Sequence, residues 1–129
     1  VHAEVRSDEV SQGERDPGAI IATWARLSTE VAPRVAPVLM LVREAAATDP
    51  EMKMLADELD ARRLARMAHN ADVLARRGHL RDDVTRAKAR DVMFAYTTPE
   101  IYQLLVLRQG WSLYAFAQFI RRGLAAALL

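Results

Sequence analysis

Residues 91–129 read DVMFAYTTPEIYQLLVLRQGWSLYAFAQFIRRGLAAALL, and the punctuation inside this stretch decides the fold. Thr98-Pro99 is a helix start, with Thr98 as N-cap and Pro99 at the first helical position, where its missing N–H costs nothing. Gly110-Trp111-Ser112 is a stop and a new start: Gly110 suits a C-terminal stop and Ser112 an N-cap. The marks predict helices over 99–108 and 113–128. In the first, Ile101, Tyr102, Leu104, Leu105, Val106 and Leu107 leave almost no polar face, and a helix apolar all round is expected to be buried all round. In the second, Leu113, Phe116, Ala117, Ile120, Leu124 and Leu128 form one stripe, widened by Tyr114 and Phe119. Small Ala117 and Gly123 permit close helix approach. This is more apolar surface than one small domain needs. The pair is therefore expected to be buried twice, the second time in a four-helix interface with the same pair of a second copy. The predicted dimer contacts are Ile101, Leu105, Leu113, Phe116, Ala117, Ile120, Leu124 and Leu128. The alternative is a tight core within one chain.

Upstream, the same reasoning finds more helices. Asp16-Pro17 starts one whose apolar face carries Ile20, Trp24, Leu27 and Val31. Pro33 and Pro37 predict a break or kink near Ala32, because each removes a backbone donor and crowds the preceding turn. A second leg is expected over 35–47. Thr48-Asp49-Pro50 is the clearest boundary and predicts a long helix over 51–77 ending at Gly78. After a short loop at 79–83, Asp82 or Asp83 is expected to cap a helix running to Tyr96. No alternating strand pattern and no fixed-period repeat is present. The predicted fold class is all-α, an antiparallel helical bundle with short loops. Residues 1–16 are polar and read as a linker or frayed helix end. One domain, 17–129, follows.

Bulk properties narrow the function classes. The 129 residues are 51% hydrophobic and 27% charged, which excludes disorder. The formal net charge is +1 with interspersed signs, which argues against a nucleic-acid footprint in this chain. There are no cysteines, so disulfides, thiol chemistry and Cys-based zinc sites are excluded; this fits a cytoplasmic protein. No signal peptide and no membrane span is legible. Lys53 and Lys88 are the two lysines among 18 basic residues, leaving 16 arginines, which together with abundant alanine reads as the codon bias of a GC-rich genome. The chain starts at Val1 rather than Met, as expected of a fragment or processed product.

Catalysis finds no support. Glycines at 13, 18, 78, 110 and 123 form no phosphate-cradling loop. His2, His69 and His79 lack metal-ligand spacing, and neither metal nor cofactor is expected. Asp57, Glu58 and Asp60 sit beside Arg62 and Arg63 and read as ion pairs on a solvated helix face. Ser28 and Ser112 have no nearby base, and Ser112 is better used as a cap.

A binding pocket has better support. On a helical wheel, Met52, Leu59, Met67 and Leu74 share one face of the long helix, with Arg63 and Asn70 in its middle. Buried polar groups need partners. Either the two satisfy helix ends or snorkel outward, or they anchor a ligand in a mostly apolar pocket. Adaptable methionines and aromatics suit such a lining. The predicted ligand-binding residues are Trp24, Met40, Arg63, Met67, Asn70, Met93, Tyr96 and Tyr102.

The string TTPEIYQLLVLRQGWSLYAFAQFIRRGL resembles the C-terminal end of TetR-family transcriptional regulators, with a Thr-Pro-Glu, a Tyr, a Leu-Leu-Val and a Gly-Trp-Ser before an aromatic-rich last helix. VAPVLMLVREAAATDPEM and ARRGHL also resemble family segments, and the similarity covers most of 17–129. The resemblance implies an effector-binding and dimerisation domain of a homodimeric repressor. It places the dimer bundle on 84–108 and 112–128 and a small-molecule cavity among 18–47, 51–77 and 84–96. The family's N-terminal helix-turn-helix is not among these residues, so DNA binding is expected only through a domain outside them. Leu113, Tyr114 and Ala115 stand where the family is usually charged. The alternative is a helical dimerisation module with no ligand.

Overall fold

A computed structural model describes residues 16–129. Helix α1 spans Pro17–Ala46, α2 Pro50–Arg76, α3 Arg86–Tyr96 and α4 Pro99–Tyr102, which continues as a π-helix over Gln103–Arg108; α5 spans Leu113–Leu128. No strand occurs among the described residues, and the fold is all-α. The expected linker over 1–16 lies outside the described residues except for Asp16, which stands at the N-cap of α1.

Each boundary has a local cause. Asp49 accepts from the Glu51 N–H at 2.9 Å, and Pro50 follows at the first helical position. Gly78 ends α2 with φ at 71°, where the Gly78 and His79 N–H groups donate to the carbonyls of Ala75 (3.1 Å) and Leu74 (2.9 Å). These are the paired bonds of a Schellman stop, which needs a left-handed residue. Thr85 caps α3 by accepting from Lys88 N–H at 3.1 Å. The expected Asp82 or Asp83 cap is therefore corrected: Asp83 is engaged instead with Arg81 Nε at 2.9 Å. Ser112 caps α5 by accepting from Ala115 N–H at 3.1 Å.

Two features depart from the sequence reading. Of the predicted break or kink near Ala32, the break is absent: α1 runs through both prolines. Pro33 and Pro37 are exposed, and the carbonyls they leave without a donor are those of Thr29 and Pro33. The second departure is the π-helix. Gln109 N–H donates to the Leu104 carbonyl at 3.1 Å, an i→i−5 bond, and Gly110 closes the segment at φ 74°.

Helix α1 packs against α2, α4 and α5, while α3 packs against α2 and α5. The centre holds Ile20, Ile21, Leu74, Met93, Ile120 and Leu128. This corrects the predicted dimer stripe. Phe116, Ile120, Leu124 and Leu128 are buried within the chain itself, and none is more than 3% exposed, so they present no surface to a second copy. Ile101 and Leu105 are partly buried against the same core. Ala117 is half-buried, and of the eight predicted contacts Leu113 alone is exposed. The apolar side chains left open at this end are Leu104, Leu107, Trp111, Leu113, Tyr114 and Phe119. Among the described residues, no helix is long and apolar enough to cross a membrane.

Candidate ligand cavity

One turn-by-turn face of α1 opens the site. Trp24, Ser28, Val31, Val35 and Leu39 recur every three or four residues and line a cavity of about 240 Å³. Met67 and Asn70 reach it from α2, Met93 and Tyr96 from α3, Tyr102 from α4, and Phe116, Ile120 and Leu124 from α5. Val35, 44% exposed, marks its open rim.

Of the eight residues predicted to bind a ligand, seven line this cavity: Trp24, Arg63, Met67, Asn70, Met93, Tyr96 and Tyr102. Met40 does not, which corrects that prediction. It stands on the same side of α1 as Ala36, one turn further on, and the lining along α1 ends at Leu39. Phe116, Ile120 and Leu124 were missed as lining because their stripe was read as an intermolecular surface. The α1 face at Val31, Val35 and Leu39 was missed because a helix broken near Ala32 would not carry one continuous face.

Arg63 and Asn70 share one wheel face but not one fate. The Arg63 guanidinium donates to the Phe94 carbonyl and to Thr97 Oγ1 (2.8 Å), and lies 3.8 Å over the Phe94 ring. It thereby satisfies the C-terminal turn of α3. Burial pushes its pKa down, with Asp60 at 3.6 Å opposing that shift. Arg43 extends the network, reaching Asp60 at 3.1 Å and Glu100 at 2.9 Å, and so ties α1 to α2 and α4. Arg63 is therefore one of the satisfied helix ends that the sequence reading allowed for.

Asn70 is the opposite case. Its residue is 5% exposed, and its Oδ1 is buried with no hydrogen-bond partner among the described residues. An orphan of this kind costs about 1–3 kcal/mol. Its side chain belongs to the cavity wall, one helical turn from Met67.

The aromatic wall is held from outside. The Tyr102 ring meets Phe116 edge-on, with centroids 5.7 Å apart and planes at 74°. Tyr96 lies 5.7 Å from Phe119, which in turn meets Trp111 edge-on at 5.8 Å. The lining contains no carboxylate and no imidazole. The lining offers a broad apolar surface with the Asn70 amide, the phenols of Tyr96 and Tyr102, the basic Arg63 and Arg66, and the hydroxyl residues Ser28, Thr97 and Thr98. Among the described residues, no three His, Cys, Asp or Glu side chains gather as a metal site.

No family model, no curated protein and no solved structure matches this chain.

Proposed function

We propose that this chain is the effector-binding and homodimerising domain of a TetR-like transcriptional repressor, and that a small, mostly apolar molecule is its effector. The observation that supports this reading is the convergence of Trp24, Arg63, Met67, Asn70, Met93, Tyr96 and Tyr102 from four helices on one cavity. A cavity of about 240 Å³ exceeds the ~150 Å³ apolar void that admits benzene. It falls below the ~300–1,000 Å³ of sites for drug-sized ligands. The effector is accordingly a molecule of one or two rings, or a short chain.

The proposed mechanism is a population shift. The cavity is walled by α1, α2, α3 and α5 together, so an occupant favours one relative placement of those helices. In a dimer, that placement sets the spacing of DNA-binding domains that lie outside these 129 residues. Driving the equilibrium from 1:99 to 99:1 requires roughly 10⁴-fold tighter binding to one state. The test is a titration of the intact regulator on its operator with a panel of small apolar compounds. A change in DNA affinity with at least one compound is expected; unchanged affinity across the panel rejects sensing.

A second reading is a helical homodimerisation module without a ligand. It is favoured by the apolar side chains left open on the last two segments, with Leu107 55% and Tyr114 75% exposed. Compounds that bind the cavity without any effect on association or DNA binding would move the balance to this reading.

A further inference from the structure

We infer that the cavity selects a small, non-cationic molecule bearing a hydroxyl group, held by a hydrogen bond between that hydroxyl and the Asn70 carboxamide. The inference rests on reading the cavity as a ligand site and adds the chemical class of what enters it. Three observations carry it. First, Asn70 lines the cavity at 5% exposed and its Oδ1 is buried with no partner among the described residues, so its carboxamide has hydrogen-bonding capacity left unmet. Secondly, some of the other polar groups in the lining are already committed. Arg63 serves the Phe94 carbonyl and Thr97, and the Thr98 hydroxyl is taken by Glu100 at 2.9 Å. Thirdly, the lining has no carboxylate to neutralise an organic cation and includes the basic residues Arg63 and Arg66.

A hydroxyl is the group that fits this amide. A carboxamide presents an oxygen acceptor and an N–H donor, and a hydroxyl can donate to the one or accept from the other. The remainder of the molecule meets Trp24, Met67, Met93, Tyr102 and Phe116, a set that favours a flat ring through aromatic and sulfur contacts. A simple phenol combines both requirements. A purely hydrocarbon occupant of the same shape would leave Asn70 unpaired.

The experiment uses the full chain, with 4-ethylphenol and 4-ethyltoluene as matched probes. Binding is read by calorimetry and by Trp24 fluorescence, with a Trp111→Phe variant removing the second indole. The phenol is expected to bind about tenfold more tightly than the hydrocarbon. Asn70→Leu is expected to abolish that preference while still admitting 4-ethyltoluene. Equal affinity of the wild-type chain for the two probes overturns the inference and leaves the cavity reading standing, as does a preference that survives Asn70→Leu. Failure of the wild-type chain to bind either probe overturns the inference together with the reading of the cavity as a ligand site. The wild-type comparison alone decides the matter should Asn70→Leu fail to fold.

Discussion

The ring of Tyr96 occupies the space that a side chain on Gly123 would need. A Cβ built on Gly123 would lie 2.5 Å from Tyr96 Cζ and 2.6 Å from Cε1, well inside contact distance. The absence of that one atom lets α3 and α5 close on each other and sets a wall of the cavity. The small residue read from the sequence as an aid to helix approach serves a contact within one chain.

This contact makes a cycle with a change of sign. Gly123→Ala alone should destabilise the chain by about 1 kcal/mol, because overpacking costs more than the helix propensity gained. On a Tyr96→Ala background the same substitution should stabilise by about 0.8–1 kcal/mol, the ordinary Ala advantage in a helix. Urea unfolding of the four variants measures the coupling. Equal effects of Gly123→Ala in both backgrounds would contradict the packing described.

Arg63→Lys should be nearly as damaging as Arg63→Ala, each costing about 2–3 kcal/mol. The guanidinium bridges the Phe94 carbonyl and Thr97 Oγ1 while stacking 3.8 Å over the Phe94 ring. A lysine ammonium has neither the fork nor the flat face. Chemical denaturation gives the comparison, and a lysine variant indistinguishable from wild type would refute the capping role.

Arg81→Ala should loosen the end of α5. The side chain of Arg81 donates to the carbonyls of Ala126 (2.8 Å) and Ala127 (3.2 Å), and its backbone N–H donates to that of Leu128 at 2.8 Å. Those carbonyls have no donor within the helix. Arg81 is about half exposed, so a loss of about 1 kcal/mol is expected, together with faster amide exchange over 124–128.

Acid should erase a related contact. Hydrogen bonding and the charge of Arg81 hold the Asp83 carboxyl below its ordinary value of 3.8. A depressed carboxyl stabilises the fold above that ordinary value, and the contribution is lost as pH falls through the folded pKa. Asp83→Asn should therefore lower the urea midpoint slightly at neutral pH and leave it unchanged in strong acid. A gap between the two proteins that widens on acidification would reverse the assignment.

Substitutions on the two sides of the C-terminal segments should separate folding from association. Ile120 is 1% exposed, so Ile120→Arg should unfold the chain by burying an unpaired charge, at a cost of more than about 3 kcal/mol. Leu107 is 55% and Tyr114 75% exposed, so Leu107→Glu with Tyr114→Arg should leave helicity intact. In a homodimer built on that face, the double variant should sediment as a monomer. A dimer undisturbed by it would place the interface elsewhere.

The helices and most of their ends were legible in the sequence because they depend on nearest neighbours. Proline at a first turn, Asp49 and Ser112 as caps, and Gly78 and Gly110 in left-handed conformations act over four or five residues. The face of α2 carrying Arg63, Met67 and Asn70 was legible for the same reason, since periodicity assigns side chains to faces. What periodicity does not say is what a face meets. The stripe Phe116, Ile120, Leu124 reads equally well as an interface or a core, and only the docking of α5 on α1 and α3 made it cavity wall. The continuity of α1 through the exposed Pro33 and Pro37 is a property of the bundle, in which α1 packs along its length, and not of the local sequence. Arg63 and Asn70, neighbours on one wheel face, were separated by the end of α3, which gives Arg63 a carbonyl to hold and gives Asn70 none. Local spacing thus determined the elements and which residues point together. Their partners, and so the one amide left without one, were decided by packing between segments far apart in the chain.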